Sequence, residues 1–145
     1  MSIVEYDIVK LSTKSRYGLR IVIQVACDNL EGRLSQGREI AKNQDLTEAY
    51  IEQIMIPLKK AGIIKTERGC SGGYMLGKSP EDISIMDLIE VFEGKFVMSP
   101  CISGKKECPR KEICPATGVW RHLTKKLRES ASAISIKDIL EKKYV

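Results

Sequence analysis

The chain is expected to fold as a mainly α winged helix-turn-helix with a two-stranded wing, followed by a long C-terminal helix. Three observations lead there. Capped helical segments run in the order helix, short helix, tight turn, helix. The segment "IIKTERGCSGGYMLG" places two β-favouring runs around a glycine-rich tip, which is hairpin chemistry. A second set of helical segments follows, separated from the first by a loop carrying three of the five cysteines.

Residues 1–10 read as a short arm of mixed charge. "LSTKSRYGLRIVIQVACDNLEG" reads as the first helix, with Ser12 or Thr13 as cap. Tyr17, Leu19, Ile21, Val22, Ile23, Val25 and Ala26 are too dense for a narrow stripe, so this helix is expected to be buried around much of its circumference. Cys27, among them, reads as a small core residue. "LSQGREIAKNQ" is a short second helix with Ser35 as its expected cap, and "NQD" is a turn. "LTEAYIEQIMIPLKKAG" is the third helix, capped by Thr47 and stopped by Gly62. Its inner face is Ile51, Ile54, Met55 and Leu58, at i, i+3, i+4, i+7 spacing. Pro57 removes one backbone donor within it and is expected to bend it.

After the hairpin, "SPEDISIMDLIEVFEG" predicts a helix with a capping box from Ser84 to Asp87 and Leu88, Ile89 and Phe92 turned inward. "PATGVWRHLTKKLRESASAI" predicts a longer helix on which Val119, Trp120, Leu123 and Leu127 recur at helical spacing. "SIKDILEKKYV" can form a last short helix. The expected organisation is an arm (1–10), a winged helix-turn-helix (11–95), a cysteine loop (96–115), and a long helix with a tail (116–145).

Composition sets limits on function. No run approaches the ~18–20 apolar residues of a membrane span, and the N-terminus does not read as a signal peptide. A cytoplasmic protein with reduced thiols follows, where clustered cysteines more often bind metal or sense redox state than form structural disulfides. The formal net charge of +5 is uneven: 12 basic against 9 acidic residues over 1–78, 1 against 5 over 79–100, and 11 against 5 over 101–145. That distribution permits an anionic partner such as DNA without requiring one. No nucleophile–base pair or phosphate loop is present and there is one histidine, so an enzyme is not expected.

In a winged helix the third helix enters the major groove. Its outer face carries Glu48, Ala49, Glu52, Gln53, Lys59 and Lys60. Gln pairs with adenine, Glu accepts from cytosine N4, and Lys suits phosphate. The plainer reading is the polar side of an amphipathic helix. Arg68 at the hairpin tip, beside Gly69, Gly72 and Gly73, is placed to reach a minor groove or phosphate. Lys14, Arg16 and Arg20 on the first helix suit backbone phosphates, or are simply solvated.

The cysteine loop "CISGKKECPRKEIC" has the spacing C-x6-C-x5-C, Cys101, Cys108 and Cys114. It lacks the paired C-x2–4-C of a zinc knuckle and the C-x2-C-x2-C run of a ferredoxin. An open loop of this kind can wrap an iron–sulfur cluster, and Lys105, Lys106, Arg110 and Lys111 would favour thiolates. The competing reading is a surface loop with incidental thiols. Cys70, on the wing, reads as an exposed thiol.

The chain resembles the bacterial iron–sulfur-responsive winged-helix repressors typified by IscR and NsrR. The resemblance runs from about Lys10 to Ser130. It rests on "LSTKSRYGLR", on "LTEAYIEQIMIPLKKAGIIKTERGCSGGYMLGKSPEDISIMDLIEVFEG", and on the three-cysteine loop. It implies a homodimeric repressor of operator DNA with a 2Fe–2S cluster. The helix after the loop becomes the dimerisation helix, and Val119, Trp120, Leu123 and Leu127 face a partner chain. Tyr50, Glu52 and Gln53 fall in the recognition helix, Arg68 in the wing, and Cys101, Cys108 and Cys114 on the cluster ligands. The fourth ligand has no match. The position of an IscR-like histidine holds Thr117, and that of an NsrR-like aspartate holds Arg16. His122, Glu5 and Asp7 are the remaining candidates within the sequence. Two alternatives stand beside this reading: a cluster-free regulator responding through thiols or a partner protein, and a small iron–sulfur carrier without a DNA role.

Overall fold

The structure is a computed structural model and describes residues 11–105 and 108–145; the arm at 1–10 lies outside the described residues. Helix α1 spans Thr13–Leu30, α2 Gly37–Gln44 and α3 Glu48–Lys60. Strands β1 (Ile64–Glu67) and β2 (Gly73–Leu76) form an antiparallel hairpin, and α4 (Ile85–Glu93), α5 (Pro115–Ser132) and α6 (Ile136–Leu140) complete the chain.

Helix α1 starts at Ser12, whose hydroxyl accepts from Ser15 N–H at 3.2 Å. The same end is held by Glu93 at the end of α4. Its carboxylate accepts from Ser12 N–H and Ser15 Oγ–H, each at 2.6 Å. Those bonds, the Ser12 contribution foremost, hold the Glu93 carboxyl below the usual carboxylate range. Ile21, Val22, Val25 and Ala26 are buried while Tyr17, Leu19 and Ile23 pack at the margin, as the dense apolar pattern requires. Cys27 departs from expectation. It is exposed, because α1 turns it away from the core that its neighbours Val25 and Ala26 enter.

Ser35 does not cap α2. The helix begins two residues later, after Gln36, which makes no side-chain cap bond. Ser35 instead exchanges backbone hydrogen bonds with Tyr74, at 2.8 and 3.0 Å, and donates its hydroxyl to Asp28 at 2.6 Å. A one-residue bridge to the wing thus outcompetes a local cap. Gly73 permits that approach: a Cβ there would sit 2.6 Å from the Ser35 carbonyl. Between α2 and α3 the tight turn is made by Asp45 at φ 57°, a left-handed conformation that Asp tolerates better than most side chains. Thr47 then caps α3, accepting from Tyr50 N–H at 3.2 Å. Ile51, Ile54, Met55 and Leu58 are fully buried, and α3 continues through Pro57 to Lys60.

The hairpin pairs Ile64 with Leu76 and Glu67 with Gly73. Helix α4 carries the Ser84–Asp87 capping box. A second box, Ser135 with Asp138, starts α6. Short backbone bonds from Ile85 N–H to Ile134 O and from Ile136 N–H to Ile83 O, both 2.9 Å, tie this last helix back to the start of α4. Ile136 is wholly inaccessible and belongs to the same core as Ile21 and Ile51. The chain therefore leaves the core through the cysteine loop and α5, and returns to it in α6.

Candidate nucleic-acid interface and cysteine loop

The outward face of α3 carries Glu48, Ala49, Glu52, Gln53, Lys59 and Lys60, all exposed. Tyr50 is different. It is half-buried, its ring set edge-on to Tyr17 with centroids 6.1 Å apart, and the Arg20 guanidinium lies 5.2 Å from the Tyr17 ring centroid. Arg20 also donates to Gln44 at 2.9 Å. Tyr50 therefore fastens the start of α3 to α1, which leaves Glu52 and Gln53 as its free neighbours on the outer face. Lys14 and Arg16 are exposed at the start of α1, with one weak bond from Arg16 to the Thr13 hydroxyl at 3.5 Å.

Arg68 follows β1 directly and is exposed beside Gly69, whose φ of +116° is one that few other residues adopt. Between α3, the start of α2 and the wing lies an open groove lined by Gln36, Arg38, Glu48, Glu52, Glu67 and Tyr74 among others. Carboxylates outnumber cations here, and Arg38 is drawn to Glu48 at 3.6 Å. Burial, and secondarily the Glu52 charge, push the Tyr74 hydroxyl pKa up. An acidic groove repels phosphate, so its acceptors suit exposed amino groups on base edges, while Lys59, Lys60 and Arg68 are the cations of α3 and the wing tip. No sequence pattern singles out Gln36 and Arg38. Their signal is tertiary: the Gln36 side chain donates to the Gly72 carbonyl at the base of the wing tip, linking positions far apart in the chain.

Cys101 sits in a single 3-10 turn, Pro100–Ile102, with its sulfur 3.1 Å from the Ser99 hydroxyl. Cys114 occupies the cap position of α5, and its N–H donates to Arg110 O at 2.8 Å. The Cys108 carbonyl accepts from Lys111 N–H at 3.0 Å. All three are half-buried free thiols, whereas Cys27 and Cys70 are exposed. Three thiols beside cationic side chains are the right donor chemistry for an iron–sulfur cluster. They are not gathered around a common point: among the described residues no three His, Cys, Asp or Glu side chains come together as a metal site. Lys106, between the first two cysteines, lies outside the described residues, as do Glu5 and Asp7. His122 and Arg16 are exposed, and Thr117 is buried at 4% exposure on the inner face of α5.

Helix α5 reverses the usual pattern. Thr117 and Thr124 are its buried residues, and Arg128 and Ala131 on the same face are half-buried. Its large apolar residues Val119, Trp120, Leu123 and Leu127 are 54%, 37%, 39% and 45% exposed. No helix of the described residues is long and apolar enough to cross a membrane.

The family model described as Rrf2, iron-dependent transcriptional regulator, matches residues 11–142. The transcriptional regulator CymR of Bacillus subtilis (strain 168) is 37% identical over 131 residues, covering 90% of this chain and 89% of CymR. The solved structure of CymR, described as the global cysteine regulator of B. subtilis, superposes with a TM-score of 0.74 at 30% identity, covering 93% of this chain and 98% of that one. The structure of T. potens IscR superposes with a TM-score of 0.71 at 34% identity, covering 92% and 88%. The chain belongs to the Rrf2 family and is a DNA-binding transcription regulator with a winged helix; these relatives are regulators, not enzymes.

Proposed function

We propose that this regulator acts in the cytoplasm as a homodimeric repressor whose three-cysteine loop is its sensor and takes an iron–sulfur cluster, 2Fe–2S in kind. The observation that carries the reading is the contrast among its thiols. Cys101, Cys108 and Cys114 are half-buried in one loop between α4 and α5, while Cys27 and Cys70 stand exposed elsewhere. Those three would supply the cluster's thiolate ligands. The cluster itself would bring iron-centred charge and redox change to the base of α5. The two familiar fourth-ligand positions hold Thr117, whose neutral hydroxyl is a poor iron ligand, and Arg16, which cannot ligate, so the fourth ligand comes from elsewhere.

Dimerisation through Val119, Trp120, Leu123 and Leu127 accounts for an apolar stripe that its own core leaves uncovered. A dimer would set two recognition helices about one turn of DNA apart, or a multiple of it. Base reading falls to Glu52 and Gln53, groove or phosphate contact to Arg68, and phosphate contact to Lys59, Lys60, Lys14 and Arg16. The loop regulates only if its two states differ in DNA affinity. The regulated genes, by resemblance, are those of iron–sulfur assembly or a related stress.

Anaerobic reconstitution with ferrous iron and sulfide tests the cluster. The expected result is visible absorbance with matching iron and labile sulfide, lost in Cys108→Ala. A colourless product would overturn it. A second reading is favoured by the similarity to CymR, described as a cysteine regulator: sensing without a cluster, through thiol exchange or a partner protein. It predicts DNA affinity that responds to thiol oxidation or to an added partner in protein free of iron and sulfide.

A further inference from the structure

The inner face of α5 is polar, and its polar groups are used. Thr124, 8% exposed, accepts from Met98 N–H at 3.0 Å. One turn on, Arg128 pairs with Glu90 of α4 and also reaches the Phe96 carbonyl at 3.5 Å. Glu90 in turn accepts from Phe96 N–H at 3.4 Å. The main chain at Phe96 is thus bonded to both α4 and α5, and that at Met98 to α5. Ser99 comes next, and its hydroxyl lies against the Cys101 sulfur at 3.1 Å.

We infer that Glu90, Arg128 and Thr124 are positioning residues for Cys101, fixing the segment 95–99 to α5 so that the first thiol of the loop is held half-buried at the base of that helix. The inference rests on the sensor reading of the loop but adds residues to which that reading assigns no role. Three features support it beyond proximity. Phe96 meets Glu90 through its N–H and Arg128 through its carbonyl, at 3.4 and 3.5 Å, so both of its backbone polar groups face the pair. Thr124 and Arg128 are placed where a helix of this length ordinarily packs apolar side chains, and they contact the loop there. The Arg128 contact also bridges two helices, so the main chain leading into Ser99 and Cys101 is held to both α4 and α5. The Arg128 and Glu90 side chains are only about one-third exposed, at 36% and 31%. Their pairing is therefore less screened than a fully solvated one.

Thiol reactivity tests this on the full chain, purified free of iron and sulfide. Iodoacetamide labelling is followed by mass spectrometry at each cysteine, with exposed Cys27 and Cys70 as internal references. In Arg128→Met and in Thr124→Val, labelling of Cys101 should rise about fivefold while Cys27 and Cys70 keep their rates. Arg128→Lys, which retains the charge opposite Glu90, should restore most of the protection. Unchanged Cys101 labelling in both disruptive variants would overturn the inference. A rise at Cys101 matched by an equal rise at Cys27 and Cys70 would also overturn it, because that is general loosening of the fold. Because no cluster is present in the assay, its outcome is independent of whether reconstitution succeeds.

Discussion

Helices α3 and α5 are both amphipathic, but they use their faces in opposite ways. In α3 the apolar residues Ile51, Ile54, Met55 and Leu58 are wholly buried, and the polar residues stand outside. In α5 the buried residues are threonines, and Trp120 and Leu123 stand outside. The first helix is stabilised by its own domain. The second is held to its domain by directional bonds and leaves its hydrophobic surface free. Apolar burial is non-directional and strong in sum, so α3 has a robust seat; α5 depends on a few contacts that a change in the loop can disturb.

The largest expected effect tests the α3 side of this contrast. Ile51→Ala should lower unfolding free energy by about 2–5 kcal/mol, measured by chemical denaturation. Leu123→Ala, measured at a concentration where the protein is monomeric, should cost far less. Similar losses would erase the distinction between the two helices. Next, Leu123→Asp combined with Leu127→Asp should yield a folded monomer in sedimentation, with operator affinity reduced by orders of magnitude as two-site attachment is lost. A dimer of unchanged stability would mean that the apolar stripe serves another purpose.

On the DNA side, Arg68→Ala should weaken binding and lower the salt-dependence slope by about 1, without altering cluster content. Loss of both binding and cluster would indicate misfolding instead. Glu52→Ala is expected to relax base preference more than overall affinity, seen in a base-substitution series. The smallest effect concerns the return of the chain in α6. Asp138 is held at about 2, below its ordinary 3.8, chiefly by Lys143 and then by Ser135. A depressed carboxylate contributes stability that is present above its ordinary pKa and is lost as pH falls through the folded value. Between those values the melting temperature should drop more steeply in the wild type than in Asp138→Asn.

Much of the fold could be inferred from local chemistry. The caps at Ser12 and Thr47 and the box at Ser84 and Asp87 are short-range bonds between side chain and backbone, so the residues that make them are neighbours in the chain. Ser35 shows where such inference fails. As a cap it is locally plausible, but Tyr74, distant in sequence, offers two backbone bonds and Asp28 a third to its hydroxyl. Cys27 fails for a related reason: in a dense apolar helix, one residue of rotation separates core from solvent. At the site, the exposure of Glu52, Gln53 and Arg68 followed from helix phase and hairpin position. The commitment of Tyr50 to Tyr17 did not, because it depends on how α1 crosses α3.

Periodicity, capping residues and turn chemistry were enough to specify the order of elements, the winged helix, and a loop rich in thiols ahead of an amphipathic helix. These are properties of neighbouring residues. The direction in which α5 presents its two faces, the polar bonds that join Glu90, Phe96, Met98, Thr124 and Arg128, and the return of Ile136 to the core were decided only in three dimensions. Each is a contact between segments far apart in the chain, and no local pattern of side chains specifies which distant partner will satisfy it.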